Sequence, residues 1–191
     1  PDPKISSGDL KGDLHVRATS YDGGMRVLEM AAAARDLGHE YICFCDRLGG
    51  RRMDPASLEQ RNVLIDESGS ILLLDIAILK GGEVDITPEG RLDFPSGPLE
   101  DLDMVIASVN TALTMDRDEM TARVLKAMED PLMDVLGHPT SRVIGLRERV
   151  QLDLDKVAHA SVDAHIALEM NAYPDRLDLD AQTVRSLAAS P

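Results

Sequence analysis

The sequence predicts an α/β fold in which parallel strands alternate with helices around a barrel-like sheet. Two observations predict it. Short apolar runs recur along the chain, separated by longer stretches whose apolar residues follow helical spacing. Polar and titratable side chains then recur where each apolar run ends, which is the rim on which (β/α) barrels build their sites. Pattern alone leaves an open doubly wound sheet beside a closed barrel, and the rim residues favour the barrel. The length of 191 residues suits one domain, and with 43% apolar but only 3% aromatic residues its core must be aliphatic.

Taken in order, residues 1–11 are polar, with Pro1, Pro3 and Gly8 among them, and read as a linker ahead of a domain over 12–191. Strands are expected over Asp13–Ala18, Glu40–Cys45, Ile76–Val84, Asp103–Val109, Met133–Leu136 and Ile166–Met170. Met25–Leu37 reads as a helix, because Val27, Met30, Ala31, Ala34 and Leu37 share one stripe and Gly38 supplies a stop. Asp116–Met128 begins with acids, carries Met120, Val124, Leu125 and Met128 at helical spacing, and ends before Pro131. Asp153–Val162 follows the same scheme. Within Glu83–Phe94, Pro88, Glu89 and Gly90 make a turn between two short apolar segments, an inserted hairpin. The rim residues are then His15 and Arg17, Asp46 and Arg47, Glu83 and Asp85, Asn110, His138, Glu169 and Asn171.

Charge and motifs narrow the function. Acidic residues outnumber basic ones 34 to 20, a formal charge of −14, which argues against an autonomous nucleic-acid binder that works by neutralising phosphates. No Gly-x-x-x-x-Gly-Lys, Gly-x-Gly-x-x-Gly or Gly-x-Ser-x-Gly segment occurs, so nucleotide-loop and serine-hydrolase readings lose their support. The longest apolar runs, Ala31–Ala34 and Ile71–Leu74, are far shorter than the roughly 18 residues of a membrane span. A cytoplasmic protein without a membrane partner is expected. Cys43 and Cys45 share one side of a strand at a spacing that closes a bridge poorly, so they read as reduced core residues. Arg47, Arg51 and Arg52 form a small basic patch able to meet a phosphate, although no aromatic residues interleave to stack bases and a solvated loop is the plainer reading. His39 and His159 read as surface residues, His165 ahead of the sixth strand carries no role, and the nine methionines read as core filler.

Seven segments form an ordered series: Gly-Asp-Leu-His-Val-Arg at 12–17, Tyr-Asp-Gly at 21–23, Cys-Asp-Arg at 45–47, Gly-Glu-Val-Asp-Ile at 82–86, Ala-Ser-Val-Asn at 107–110, Gly-His-Pro-Thr at 137–140 and Glu-Met-Asn-Ala-Tyr-Pro-Asp-Arg-Leu-Asp-Leu at 169–179. This series resembles the PHP (polymerase and histidinol phosphatase) superfamily, most closely the C-terminal PHP domain of bacterial and archaeal family X DNA polymerases. The resemblance implies a distorted, TIM-like (β/α)7 barrel whose last strand, with an Asp-x-His pair, falls beyond Pro191. It also implies a rim holding two or three Mn, Zn or Fe ions that hydrolyse phosphoesters, as a 3′-5′ exonuclease or 3′-phosphatase in the polymerases. Clustered ions polarise a phosphoryl oxygen, supply hydroxide and steady the leaving oxygen, held by imidazole and carboxylate ligands.

Carried over residue by residue, the resemblance gives metal-ligand positions at His15, Asp22, Glu83 (the bridging carboxylate) and His138. Three further ligand positions hold Arg17, Arg47 and Asn110 where the family has imidazoles. The two arginines are permanent cations and cannot ligate a metal. Beside Asp22, Asp46, Glu83 and Asp85 they are expected to replace the metals' charge with directional hydrogen bonds. Glu169 and Asn171 are expected to brace neighbouring loops. The expectation is therefore the PHP domain of a family X DNA polymerase acting in gap-filling repair, non-catalytic, and supporting the polymerase or positioning DNA. It would hold no resident cofactor, with Mn or Zn if active and Mg for the parent polymerase. The alternative is a phosphoesterase or 3′-5′ exonuclease on a partial metal site, and a third reading is an arginine-bearing rim that binds phosphate without hydrolysing it. The implied partners are the polymerase domain of the same chain and, through it, DNA, which would associate the protein with the nucleoid.

Overall fold

Parallel neighbours in a sheet need a crossover between them, and a helix is the usual crossover. The computed structural model, which describes residues 7–18, 27–72 and 75–189, follows that rule. Among the described residues the strands are β1 (Gly12–Val16), β2 (Tyr41–Arg47), β3 (Ala77–Asp85), β4 (Met104–Ser108), β5 (Val135–Gly137) and β6 (Ala167–Leu168). The helices are α1 (Val27–Asp36), α2 (Pro55–Leu72), α3 (Ser96–Glu100), α4 (Arg117–Ala127), α5 (Leu154–Asp163) and α6 (Ala181–Ala189). The sheet order is β1-β2-β3-β4-β5-β6, and β1/β2, β4/β5 and β5/β6 pair in parallel. This is the α/β alternation of a TIM-like barrel. Asp22, Met25, most of the 1–11 segment and part of the Ile71–Leu74 run lie outside the described residues.

Two compact units divide the chain: residues 1–82 with 101–104, and residues 83–100 with 105–191. In the first, Ile42 and Phe44 of β2 pack against Ala31 and Ala34 of α1, Ile65 of α2, and Ile76. Five consecutive β2 residues, Ile42 to Asp46, are buried, as in a parallel strand covered on both faces. The cysteines occupy the face opposite Ile42 and Phe44. Their sulfurs lie 3.5 Å apart, and Cys45 Sγ donates to the Leu14 carbonyl at 3.2 Å. Gly81 packs directly on both, since a Cβ there would stand 2.2 Å from Cys45 Sγ and 2.7 Å from Cys43 Sγ. The hydrogen bond with Cys43, together with burial, pushes the Cys45 thiol far above its ordinary pKa and keeps it protonated.

Helix α2 has no counterpart among the helices read from sequence. Its start is conventional: Pro55 occupies the first helical position and Asp54 Oδ1 accepts from Ser57 N at 2.8 Å. Its buried stripe is Leu58, Arg61 and Ile65, and an arginine in that stripe breaks the apolar periodicity.

The second unit is built on Val84, Ile86, Val105, Ile106, Leu136, Met120, Val124 and Val157, all buried. Helix α4 has the expected ends, with Asp116 capping through Glu119 N and Met128 closing it. Helix α5 is capped by Asp153, which accepts from Lys156 N. The hairpin forms through an antiparallel bridge between Ile86 and Leu92, with Thr87 N–H donating to Arg91 O at 2.7 Å. Gly90 turns it at φ +72°, a conformation that glycine adopts without strain. The sixth strand is only two residues long. After Leu168 the backbone of Asn171 pairs with Asp178 in an antiparallel bridge, so the chain leaves the parallel ladder early.

Candidate functional site

Every rim residue read from sequence falls at or just beyond the C-terminal end of a strand: His15 and Arg17 on β1, Asp46 and Arg47 on β2, Glu83 and Asp85 on β3, Asn110 after β4, His138 after β5, and Glu169 and Asn171 after β6. In the second unit, four of these side chains converge. His138 Nε2 lies 3.3 Å from Glu83 Oε1, and both residues are 1% exposed. The Asn110 amide donates to Glu83 Oε1 at 3.3 Å and to Asp85 Oδ1 at 2.8 Å.

The backbone that presents His138 is held at several points. Gly137 lets β5 approach β4 closely, since a Cβ there would meet Ser108 Oγ at 2.4 Å and Ile106 Cγ2 at 2.7 Å. His138 then adopts φ +27°, a strained setting for a residue with a Cβ. Its N–H donates to the Glu169 carboxylate, its carbonyl accepts from Ser141 N at 2.8 Å, and Asn171 Nδ2 donates to Glu169 at 3.2 Å. Thr140 N–H donates to the buried Asp178 carboxylate at 3.0 Å. The Gly-His-Pro-Thr turn is thus fixed by two carboxylates from the 169–179 segment, and Glu169 and Asn171 act there as braces.

The first unit carries the other rim residues. His15 is half-buried near the end of β1, Arg17 follows it exposed, and Arg47 is half-buried at the end of β2. Asp46 is buried, and both of its oxygens are engaged: Oδ1 accepts from Ala18 N at 2.9 Å and Oδ2 from Arg61 at 3.2 Å. Sequence reasoning missed Arg61, whose only advance signal was the Asp54-Pro55 helix start that would have placed it on α2. Arg51 and Arg52 lie exposed in the loop after β2. Within either unit, among the described residues, no three His, Cys, Asp or Glu side chains gather in a geometry that holds a metal ion.

A third carboxylate of the 169–180 segment has a marked electrostatic setting. Asp180 caps α6, accepting from Thr183 N at 2.8 Å, and pairs with Arg149. The Thr183 amide, assisted by Arg149, pulls its pKa down to about 2. A carboxyl depressed on folding adds stability above its unfolded pKa of about 3.9 and loses that contribution as pH falls toward the folded value. The stability gap between wild type and Asp180→Asn is therefore expected to be full at pH 5 and to close between about pH 4 and pH 2, as read by thermal melts. A gap that stays constant over that range would contradict this assignment.

Comparison with known proteins accords with this geometry. No family model matches the chain. It is 34% identical over 179 residues to the DNA polymerase/3′-5′ exonuclease PolX of Bacillus subtilis, covering 92% of this chain and 31% of that protein. The chain belongs to the PHP superfamily. Within the superfamily it is also 34% identical over 100 residues to a probable phosphatase of Thermoanaerobacter sp. strain X514, covering 50% of this chain and 38% of the relative. A probable phosphatase of Aliivibrio fischeri strain MJ11 is 25% identical over 147 residues, covering 76% of this chain and 56% of the relative. The PHP chain thus spans about a third of the length of its polymerase relative. Among its described residues, no helix is long and apolar enough to cross a membrane.

Proposed function

We propose that this PHP domain serves a PolX-type DNA repair protein as a non-catalytic module, supporting the polymerase body or positioning DNA, on a rim that does not hold the family's metal cluster. The observation that carries the reading is the pair of guanidiniums at the ends of the adjacent strands β1 and β2, Arg17 and Arg47, at positions where the family has imidazoles. A guanidinium offers only donors and keeps its proton at any working pH, so it repels a cation instead of ligating it. The residues present therefore do not fit a two- or three-metal cluster, and no hydrolytic step is assigned through one. Asp46 supports the same reading, because its oxygens are committed to Ala18 N and Arg61.

The second reading, a phosphoesterase or 3′-5′ exonuclease on a partial site, is favoured by a contact between two surviving ligand positions, His138 beside Glu83 at 3.3 Å. One experiment separates the two: metal content by mass spectrometry on the purified protein, with an Mn-supplemented 3′-exonuclease and 3′-phosphatase assay against a His15→Ala control. The non-catalytic reading expects no stoichiometric metal and no His15-dependent cleavage. Stoichiometric metal together with cleavage that His15→Ala abolishes would replace it with the second.

A further inference from the structure

We infer that the two loops after β5 and β6 form a contact surface for a second copy of this chain, independently of whether the rim holds metal. Both loops belong to the second unit. Residues 141–149 and 170–180 lie side by side there: Ile144 N–H donates to the Asp175 carbonyl at 2.6 Å, and the Arg142 guanidinium donates to the carbonyls of Arg176, at 3.0 Å, and Leu177. The first loop is also closed on itself. Val143 is bridged to Arg147, Gly145 turns the tip at φ +75°, and the Arg147 side chain donates to the Ser141 carbonyl at 2.7 Å. Such a turn holds its tip outward, so Ile144 is half-exposed and Leu146 is 85% exposed. Tyr173, 66% exposed, and the half-exposed Leu177 stand on the second loop. Single apolar residues on a surface need no explanation, but four carried by two mutually bonded loops mark an interaction surface.

Charge selects the occupant. The chain has a formal charge of −14, yet these loops balance: Arg142, Arg147, Arg149 and Arg176 stand against Glu148, Asp175, Asp178 and Asp180. The excess negative charge therefore lies elsewhere, where it opposes contact between copies. A polyanion such as DNA would meet the acids of this surface, and a basic partner would meet its arginines. A second copy brings both signs at once. In a two-fold contact a residue of one copy faces a different residue of the other, so the exposed Glu148 and Asp175 are placed to pair with the partly exposed Arg149 of the second copy around an apolar centre. The attraction is then apolar and the long-range charge repulsive. Salt screens the repulsion, so association tightens as salt rises, the opposite of binding by phosphate neutralisation.

Sedimentation velocity of the full chain over a concentration series, at low and at high NaCl, tests this on wild type, Leu146→Glu, Tyr173→Glu and Val162→Glu. Wild type is expected to show a monomer–dimer equilibrium that shifts toward dimer with added salt. Leu146→Glu and Tyr173→Glu each set a charge in the apolar centre and are expected to weaken dimerisation at least about 10-fold. Both side chains are mostly in solvent, so melting temperatures should stay near wild type. Val162 is also an exposed apolar residue, but it ends α5 where the chain turns back toward the start of β6, at the opposite end of the unit from these loops. Val162→Glu is expected to dimerise as wild type does. A wild type that stays monomeric throughout, a dimer that Leu146→Glu and Tyr173→Glu leave intact, equal weakening by Val162→Glu, or a dimer that salt dissociates would each overturn the assignment.

Discussion

Replacing Arg61 with methionine is expected to lower stability by about 3–5 kcal/mol, the cost of stripping one partner from a buried ion pair. The Arg61 and Asp46 side chains are 5% and 2% exposed and meet at 3.2 Å. Arg61 also donates to the Phe44 carbonyl at 2.9 Å and to the Gly81 carbonyl at 2.7 Å, so it links the middles of β2 and β3 within the first unit. Methionine keeps the packing of the stem between Leu58 and Ile65 but leaves Asp46 as a buried charge and two carbonyls without this donor. Asp46→Asn in the same background removes the buried charge. The double variant is therefore expected to recover part of the loss, giving a coupling of at least about 1 kcal/mol in a urea-unfolding cycle. If Arg61→Met costs less than about 1 kcal/mol, as an exposed salt bridge does, the pair is not what holds these two strands together.

The contrast between what was and was not legible in the sequence runs along the same line. Strand and helix alternation was legible because burial imposes periods of 2 and 3.6 on apolar residues, and helix α4 was read nearly to its caps because Asp116 and Met128 both signal in the chain itself. Helix α2 was not, since its buried stripe holds Arg61 and its exposed face carries Val63 and Leu64, which invert the expected pattern. The sixth strand was overextended because alternation continues through Met170, while the pairing of Asn171 with Asp178 that ends it is a contact between distant positions. At the site, the ordered motifs brought Glu83, Asn110 and His138 to one rim before any coordinates did. The rest depended on backbone acceptors. Arginines that bind carbonyl oxygens leave no mark in sequence, because every residue has a carbonyl. The positive charge expected beside Asp46 was assigned to Arg17 and Arg47, and Arg61, in the second turn of an unread helix, is a further guanidinium that reaches it.

Arg123 shows the same blind spot in the second unit, and its replacement by methionine is expected to cost at least about 3 kcal/mol. The side chain is 3% exposed on α4. Its guanidinium donates to the carbonyls of Thr87 at 2.9 Å and Thr111 at 2.9 Å, and to that of Ile86. Burial draws its pKa below the ordinary arginine value, with Asp85 and Glu89 pulling it back. One planar fork thus pins the hairpin after β3 and the segment after β4 to the same helix. Lysine is not a substitute, because three donors radiating from one nitrogen cannot span three separated carbonyls. The loss is expected to be local before it is global: Gly90 N–H, bonded to Thr87 O at 2.9 Å, and Thr87 N–H should lose hydrogen-exchange protection in Arg123→Met by more than the fall in overall stability explains. The hairpin leads directly from Asp85, and Asp85 holds Asn110 at 2.8 Å. Loosening it should therefore also free the Asn110 amide, visible as a shift of its side-chain NH2 resonances toward those of solvated amides. Unchanged hairpin protection and an unmoved Asn110 resonance in a folded Arg123→Met protein would show that α4 holds the rim through its apolar face alone.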